Sequence, residues 1–172
     1  GFAMLASGVM AHPAPDRDTL RDILARTGAE GRVFVCQADE VPDAGSRPLP
    51  ELVGDCWNLD AVVLGYRGFI ETFAPLPAML ARGDVSPAHA FAIRTLLIHA
   101  YRRVQLHDPM LPLPLLPDPW PGADAYALAR TIYQLSHERA EEHVLAMLRV
   151  EDAATPGADA AFRGRFGGLA PR

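Results

Sequence analysis

Four basic side chains form the densest cationic group in this sequence, and their spacing suits the binding of an anion. They are Arg94, His99, Arg102 and Arg103. On a helix, a spacing of three or four residues puts His99 beside both Arg102 and Arg103. Planar guanidinium groups bind phosphate or carboxylate oxygens through paired hydrogen bonds, so the group predicts phosphate binding. One alternative stays open, in which these side chains pair with Asp108, Asp118 or helix-end carbonyls, or lie in water.

The histidine, serine and cysteine residues give weaker indications of a metal-binding or catalytic site. His89, His99 and His107 are ten and eight residues apart, unlike the pair four residues apart that a helical zinc site shows. Ser7-Gly8 lacks the Gly-x-Ser-x-Gly elbow of a nucleophile, and neither cysteine has a local catalytic signature. We therefore predict no catalytic residue, no bound metal and no cofactor.

The two tryptophans, Trp57 and Trp120, have side chains that either stack on an aromatic ligand or pack as structural anchors. Trp120 follows a proline-rich segment, where a Trp more often packs, and packing is the favoured interpretation for both. Trp120 nevertheless stays beside the four cationic residues as a candidate ligand-binding residue.

Composition restricts the class of protein. The 172 residues are 49% hydrophobic and 22% charged, with a net charge of -5, and all sixteen basic residues are Arg. An acidic chain is a poor nonspecific ligand for nucleic acid, because that affinity comes mainly from neutralised phosphates. Two cysteines without a Cys-x-x-Cys pair indicate a reducing compartment. No apolar run approaches the ~18 residues of a membrane span, so we predict a cytoplasmic protein without a membrane partner.

The N-terminal elements that the pattern predicts are strands and one helix. Two apolar runs, residues 2–5 and 9–11, flank Ser7-Gly8 and predict a strand pair. Asp16 opens a helix that Gly28 ends. The β-branched and aromatic run over residues 32–37 predicts a further strand, which makes this part a small α+β unit.

Helices are predicted over most of the remaining chain. Apolar spacing predicts one helix from residue 52 to residue 76, ended by prolines, and a second after the N-cap Ser86 and Pro87, reaching about residue 107. A third covers residues 123–150. Three acidic side chains of that helix are expected to face water, namely Glu138, Glu141 and Glu142.

A proline-leucine segment, residues 108–122, separates the last two helices. Its six prolines fix φ and remove backbone donors, which predicts an extended chain with neither helix nor inner strand. Its apolar residues are too many for a flexible linker, so we predict a rigid strap across a hydrophobic surface, ended by a turn at Pro121-Gly122.

The helix before this segment and the segment itself resemble the C-terminal domain of the PaaX family of transcriptional repressors. The resemblance depends on an ordered string of residues, namely Arg94 and residues 96–103, 106–112, 115–117 and 120–123. Two weaker stretches agree. Residues 1–9 look like the first strand pair of the family's central domain, and residues 56–69 look like its following helix.

The resemblance implies a repressor of aromatic-acid catabolism, whose founding type controls phenylacetate degradation and leaves DNA when it binds phenylacetyl-coenzyme A. Family members have a winged-helix DNA-binding domain, a ferredoxin-like domain similar to small CRISPR-associated nucleases, and a helical domain with the strap. This chain is expected to begin within the second part, so it would contact operator DNA only through a winged helix absent from these residues.

The predicted fold class is α+β, a small ferredoxin-like unit followed by an all-helical C-terminal domain with a proline-leucine strap. The expected domains are residues 1–50, truncated at the start, and residues 51–150. A mobile tail is expected over residues 151–172, where only three residues could pack. They are Phe162, Phe166 and Leu169.

The leading functional hypothesis is a non-enzymatic, effector-sensing and dimerising portion of such a repressor. An acyl-coenzyme A effector of the phenylacetyl-coenzyme A type, held between the ferredoxin-like unit and the helical domain, would shift a homodimer away from operator spacing. Two alternatives stay open. One is a metal-dependent phosphodiesterase with a ferredoxin-like core, and the other is a purely structural dimerisation module.

Overall fold

The computed structural model describes residues 2–39, 45 and 47–158 of the chain. The described part is α+β, as predicted, with a small two-stranded sheet and a majority of helix. Its elements are β1 (Ala3–Ala6), β2 (Val9–Ala11), α1 (Arg17–Thr27), α2 (Leu49–Cys56), α3 (Leu59–Phe73), α4 (Leu76–Ala81), α5 (Pro87–Gln105), a 3-10 turn (Leu113–Leu115) and α6 (Gly122–Glu151). The three apolar residues expected to pack in the tail lie outside the described residues.

The chain divides into two compact units. The first unit comprises residues 1–60 and 108–118, and the second comprises residues 61–107 and 119–172. The domain boundaries predicted near residues 50 and 150 stay a prediction.

In the first unit, the strand pair and α1 confirm the predicted elements. β1 and β2 pair antiparallel, and Gly8 turns between them at φ +77°, a conformation that glycine adopts without strain. Asp16 caps α1 by accepting hydrogen bonds from the Thr19 backbone N–H at 2.8 Å and from its hydroxyl at 2.7 Å. The Thr19 hydroxyl is the main cause of a lowered Asp16 pKa. Gly28 ends α1 in the left-handed conformation at φ +65°.

The strand predicted over residues 32–37 is wrong. The chain turns directly after α1, where Gly31 has φ +69° and the Arg32 N–H donates to the Ala29 carbonyl at 3.0 Å. The following residues run without regular structure, and Phe34 is 91% exposed. A β-prone sequence forms a strand only where a neighbouring strand pairs with its backbone, and within the described residues the sheet consists of β1 and β2.

The single helix predicted from residue 52 to residue 76 is also wrong, because the chain breaks at residues 57 and 58. Trp57 ends α2 in an extended conformation, with φ -127° and ψ 128°, and α3 begins at Leu59. Pro77 does not end a helix either. It lies in the first turn of α4, where the missing N–H of a proline costs nothing.

The proline-leucine segment is not extended throughout. Its 3-10 turn forms because the Leu115 N–H donates to the Pro112 carbonyl at 2.9 Å, and proline is tolerated in a first turn. Buried and half-buried side chains of this segment pack on α2 and the start of α3. That small core of the first unit comprises Val53, Leu59 and Leu111, with Trp57, Leu115 and Leu116 against it.

In the second unit, α5 and α6 confirm the predicted helices and run antiparallel. Arg94 of α5 pairs with Glu141 of α6, and Phe91, one turn earlier, contacts the ring of His143, two residues later. The core between and around these helices contains large apolar residues of α3, α5 and α6 and alanines of α5 and α6. Its members include Tyr66, Phe69, Ala90, Leu97, Tyr101, Ala125, Ala129, Ile132, Tyr133 and Ala140.

Close approach of α3 and α5 at Gly65 gives the first prediction. A β-carbon at this position would lie 3.1 Å from Cγ1 of Val104, whereas one at Gly68 would meet nothing within 4 Å. Gly65→Leu should therefore lower the free energy of unfolding by about 1–3 kcal/mol through overpacking. Gly68→Leu should leave it unchanged or raise it, since leucine has the higher helix propensity. Urea unfolding measures both, and equal destabilisation by the two variants would contradict the packing.

His12, at the end of β2, gives a pH-dependent prediction. Burial lowers its pKa below 6.5, and a backbone hydrogen bond to Pro109 acts in the opposite direction. The folded state therefore favours the neutral ring, whose Nδ1 accepts the Ala14 N–H at 3.1 Å. The contribution of His12 to stability is present above pH 6.5 and is lost as the pH falls through the folded-state pKa. Urea unfolding at pH 7.5 and at pH 5 measures the decrease in the free energy of unfolding between the two pH values. This decrease should be smaller for His12→Gln than for the parent, and equal decreases would contradict the assignment.

Candidate functional site

Helix α5 determines which of the predicted site residues reach solvent. Its N-cap Ser86 accepts a hydrogen bond from the His89 N–H at 3.3 Å, and Pro87 occupies the first turn. The helix turns a face with three buried residues toward the core, namely Ala90, Leu97 and Tyr101. His99, Arg102 and Arg103 therefore lie on the exposed side of the helix.

Arg94 has a structural environment that differs from the other three cations. Its side chain is 13% exposed, and Nη1 donates to Oε2 of Glu141 at 3.1 Å. The guanidinium also lies 5.9 Å from the centre of the Phe91 ring. The expectation that Glu141 faces water is wrong, because 23% of its side chain is exposed and it pairs with α5. Arg94 thus links α5 to α6.

His99, Arg102 and Arg103 form what we call the cationic face of α5. In the part of the chain that the structure describes, neither Arg102 nor Arg103 forms a salt bridge. His107 adds one contact, because its Nδ1–H donates to the Arg103 carbonyl at 2.8 Å. Cations in the last turn also interact favourably with the helix dipole. The chemistry of this face suits phosphate oxygens, and its role in binding stays a prediction.

Trp120 lies against Tyr66 rather than on the surface of α5. The two rings meet edge to face, with centroids 5.8 Å apart, and Trp120 is half-buried against the core of the second unit. A β-carbon on Gly122 would come within 2.5 Å of the indole Nε1, so the turn after the segment needs a glycine there. These contacts agree with the packing interpretation, and a ligand contact by Trp120 stays a prediction.

A pocket that sequence reasoning missed lies in the first unit. It has a volume of about 300 Å³ and is lined by the junction of α2 and α3 and by the proline-leucine segment. We call it the Trp57 pocket; its lining includes Gly54, Trp57, Asn58, Asp60, Leu115 and Leu116. It was missed because apolar spacing predicted one helix through residues 57 and 58. Asn58 was the available signal, since asparagine is a preferred N-cap type.

Two features typical of other classes of protein are absent from the described residues. Among them, no group of three or more histidine, cysteine or acidic side chains lies close enough to hold a metal ion. None of the described helices is both long and apolar enough to cross a membrane.

Comparison with known proteins agrees with the resemblance. A family model described as PaaX-like protein C-terminal domain matches residues 57–146. The chain is 37% identical over 172 residues to a protein of Escherichia coli (strain K12) named Transcriptional repressor PaaX. The match covers 98% of this chain and 54% of the relative, so the chain spans about half the length of the curated relative that it matches. The matched domain contains the whole cationic face.

The contrast between Arg94 and Arg102 is testable by stability. Arg94→Ala should lower the free energy of unfolding by about 1–3 kcal/mol, because it leaves the half-buried Glu141 carboxylate without its partner. Arg102→Ala should change it by less than about 0.5 kcal/mol, as usual for an exposed side chain. A double-mutant cycle with Glu141→Gln should show coupling for Arg94 and none for Arg102. Absence of coupling at Arg94 would contradict the structural assignment.

Proposed function

The chain belongs to the PaaX family of transcriptional repressors, and we propose that it is the effector-sensing and dimerising portion of a repressor of aromatic-acid catabolism. The pathway proposed for control is phenylacetate degradation. One observation carries the effector part of this proposal: the cationic face of α5 lies exposed within the domain that matches the family. We propose that the protein is a regulator without enzymatic activity and that it acts in the cytoplasm.

The proposed effector is an acyl-coenzyme A of the phenylacetyl-coenzyme A type. Coenzyme A carries phosphate groups, and arginine forks bind phosphate through paired, charge-assisted hydrogen bonds. Arg102 and Arg103 form no salt bridge within the described residues, so binding a phosphate there breaks no internal ion pair. His99 adds a third donor on the same side of the helix. The proposed contact residues are therefore His99, Arg102 and Arg103.

Arg94 and Trp120 remain in the proposal with a different role. Arg94 is paired with Glu141, and Trp120 is packed on Tyr66, so each would have to give up an existing contact to bind a ligand. Breaking these contacts costs free energy, whereas the exposed side chains of Arg102 and Arg103 can bind a ligand without breaking an ion pair. We therefore propose a packing role for both: Arg94 holds α5, on which the contact residues lie, to α6, and Trp120 packs on Tyr66 of α3.

The proposed mechanism is a shift of population between two geometries of a homodimer. An effector with higher affinity for one geometry raises the fraction of molecules in it. Winged helices bind two operator half-sites only when their spacing matches the DNA helical repeat, so a changed dimer geometry weakens operator binding. Operator DNA is proposed to be contacted by the winged helix of the repressor. We further propose that β1, β2 and α1 belong to a ferredoxin-like unit.

The alternative proposal, a structural dimerisation module, gives Arg102 and Arg103 in the last turn of α5 a purely structural role. Cations at this end of a helix stabilise the helix without any ligand. The two candidates differ in what a ligand titration would show.

Calorimetric titration of this chain with phenylacetyl-coenzyme A tests the proposal. We expect saturable binding of the thioester and weaker binding of coenzyme A or phenylacetate alone, since each presents only some of the contacts. Replacing both Arg102 and Arg103 by alanine should weaken thioester binding by about tenfold or more. A tenfold change in Kd corresponds to ~1.4 kcal/mol, and the loss of two charge-assisted hydrogen bonds costs more than that.

The control variant is Arg67→Ala, which removes another exposed arginine of the second unit. It should bind the thioester as the parent does. Binding that survives loss of Arg102 and Arg103 would remove these residues from the proposal. A folded chain with no binding of any acyl-coenzyme A would favour the structural module.

A further inference from the structure

Arg130, in the third turn of α6, carries the only enclosed side-chain nitrogen or oxygen without a hydrogen-bond partner among the described residues. That atom is Nε, which is shielded from solvent. Within the same residues Arg130 forms no salt bridge, and its side chain is half-buried. Arginine is seldom buried without a partner, because both its charge and its N–H donors lose hydration. An enclosed donor of this kind calls for a functional or structural explanation.

No acidic side chain of α5 or α6 is placed to become that partner. The nearest acids on α6 are Asp124 and Glu138, six and eight residues from Arg130, whereas a helical ion pair needs a spacing of three or four. Residues 85–107, which include all of α5, contain no acid. The surroundings of Arg130 on these two helices therefore favour an anion from outside the chain.

The ion pair of Arg94 with Glu141 indicates what lies across from Arg130. Because α5 and α6 run antiparallel, equal steps away from this pair, forward on α5 and backward on α6, reach facing positions. Eleven residues are about three helical turns, which places Gln105 opposite Arg130 along the groove between the two helices. Gln105 is exposed, and its amide can donate a hydrogen bond to an oxyanion.

The same helical period separates Arg102 from Arg103. Arg102 follows Arg94 by eight residues, about 80° around α5, so it lies beside the groove. Arg103 follows Arg94 by nine residues, about 180° around α5, so it lies on the opposite side of the helix. Both side chains are exposed. Arg102 is therefore the arginine of the cationic face that lies on the same side of α5 as the groove.

The chemistry of these side chains suits a phosphate group. A guanidinium presents Nε–H and an Nη–H as a fork that matches two oxygens of one anion, and an anion on this fork supplies the acceptor that Nε lacks. A phosphate group has up to two negative charges near neutral pH, which matches two cations better than a carboxylate does. We propose that Arg130, together with Arg102 and Gln105, binds a phosphate group in the groove between α5 and α6.

This site goes beyond the proposed effector function, and its test needs no thioester. The probe is inorganic phosphate, with chloride at the same ionic strength as the control, because a spherical ion does not match the two-oxygen geometry of the fork. An enclosed Nε–H exchanges slowly with water, so its NMR signal should be visible in the isotope-labelled chain, and its disappearance in Arg130→Met identifies it. Phosphate should shift this signal in a saturable way, and chloride should not.

Three variants measure the contribution of each cation, with the side-chain amide signals of Gln105 as the common readout. Arg130→Lys keeps the charge but loses the fork, and it should weaken phosphate binding by about tenfold or more. Arg102→Ala should weaken it by about threefold to tenfold, because an exposed cation is more strongly screened. Arg103→Ala is the matched control on the opposite side of α5 and should bind phosphate as the parent does.

Urea unfolding separates a binding role from a packing role. Arg130→Met removes an unpaired, half-buried charge and keeps most of the side-chain length, so in chloride the variant should be as stable as the parent or more stable. Phosphate should raise the unfolding midpoint of the parent but not of Arg130→Met, because a ligand stabilises only the protein that binds it. An arginine that served packing alone would give a less stable variant and the same response to phosphate in both proteins.

The inference would be overturned by the absence of a saturable Nε–H shift with phosphate, by equal phosphate affinity of Arg130→Lys and the parent, or by equal weakening in Arg102→Ala and Arg103→Ala. Coenzyme A distinguishes two sources of the phosphate group. A shift of the Arg130 signal at lower concentrations of coenzyme A than of phosphate would assign the site to that carrier, and phosphate binding without a response to coenzyme A would assign it to free phosphate. Normal phosphate binding by a chain that binds no thioester would contradict the proposed effector alone.

Discussion

The close packing of α5 against α6 is the constraint on which the second unit depends. Four alanines in this interface are fully buried, and their small side chains allow the two helices to approach: Ala90, Ala125, Ala129 and Ala140. Leu97 and Ile132, also fully buried, fill the remaining space. Ala90, Leu97 and Tyr101 of α5 face this core, and His99, Arg102 and Arg103 lie on the exposed side of the helix. The position of the cationic face is therefore a consequence of the core.

Polar contacts fix the register of this helix pair. The Arg94 to Glu141 ion pair holds α5 to α6, and Arg139 of α6 donates to the Val85 carbonyl just before α5 begins. Ser136 is fully buried in α6, but its hydroxyl donates to the Ile132 carbonyl at 2.8 Å and so carries no unsatisfied group into the core. Apolar packing alone tolerates a shift along the helices, whereas these paired groups lose their partners if the helices slide.

Sequence reasoning succeeded where local chemistry decides the structure. Asp16, Ser86 and Gly28 each satisfy backbone groups at a helix end, so the residue type alone predicts the boundary. It failed where a distant partner decides. The run around Phe34 has strand propensity but no neighbouring strand among the described residues, and Glu141 is half-buried because Arg94, 47 residues away, faces it. The Trp57 pocket needed both the helix break and the fold of the proline-leucine segment, and neither follows from apolar spacing.

The cationic face of α5 and the buried core beneath it depend on different physical interactions. The cationic face is exposed, so its attraction for phosphate is screened by salt and each contact contributes little free energy by itself. The core beneath α5 is apolar, so its stabilisation comes from surface removed from water and depends little on salt. Added salt therefore weakens a phosphate contact at this face while it leaves the packing of α5 against α6 nearly unchanged.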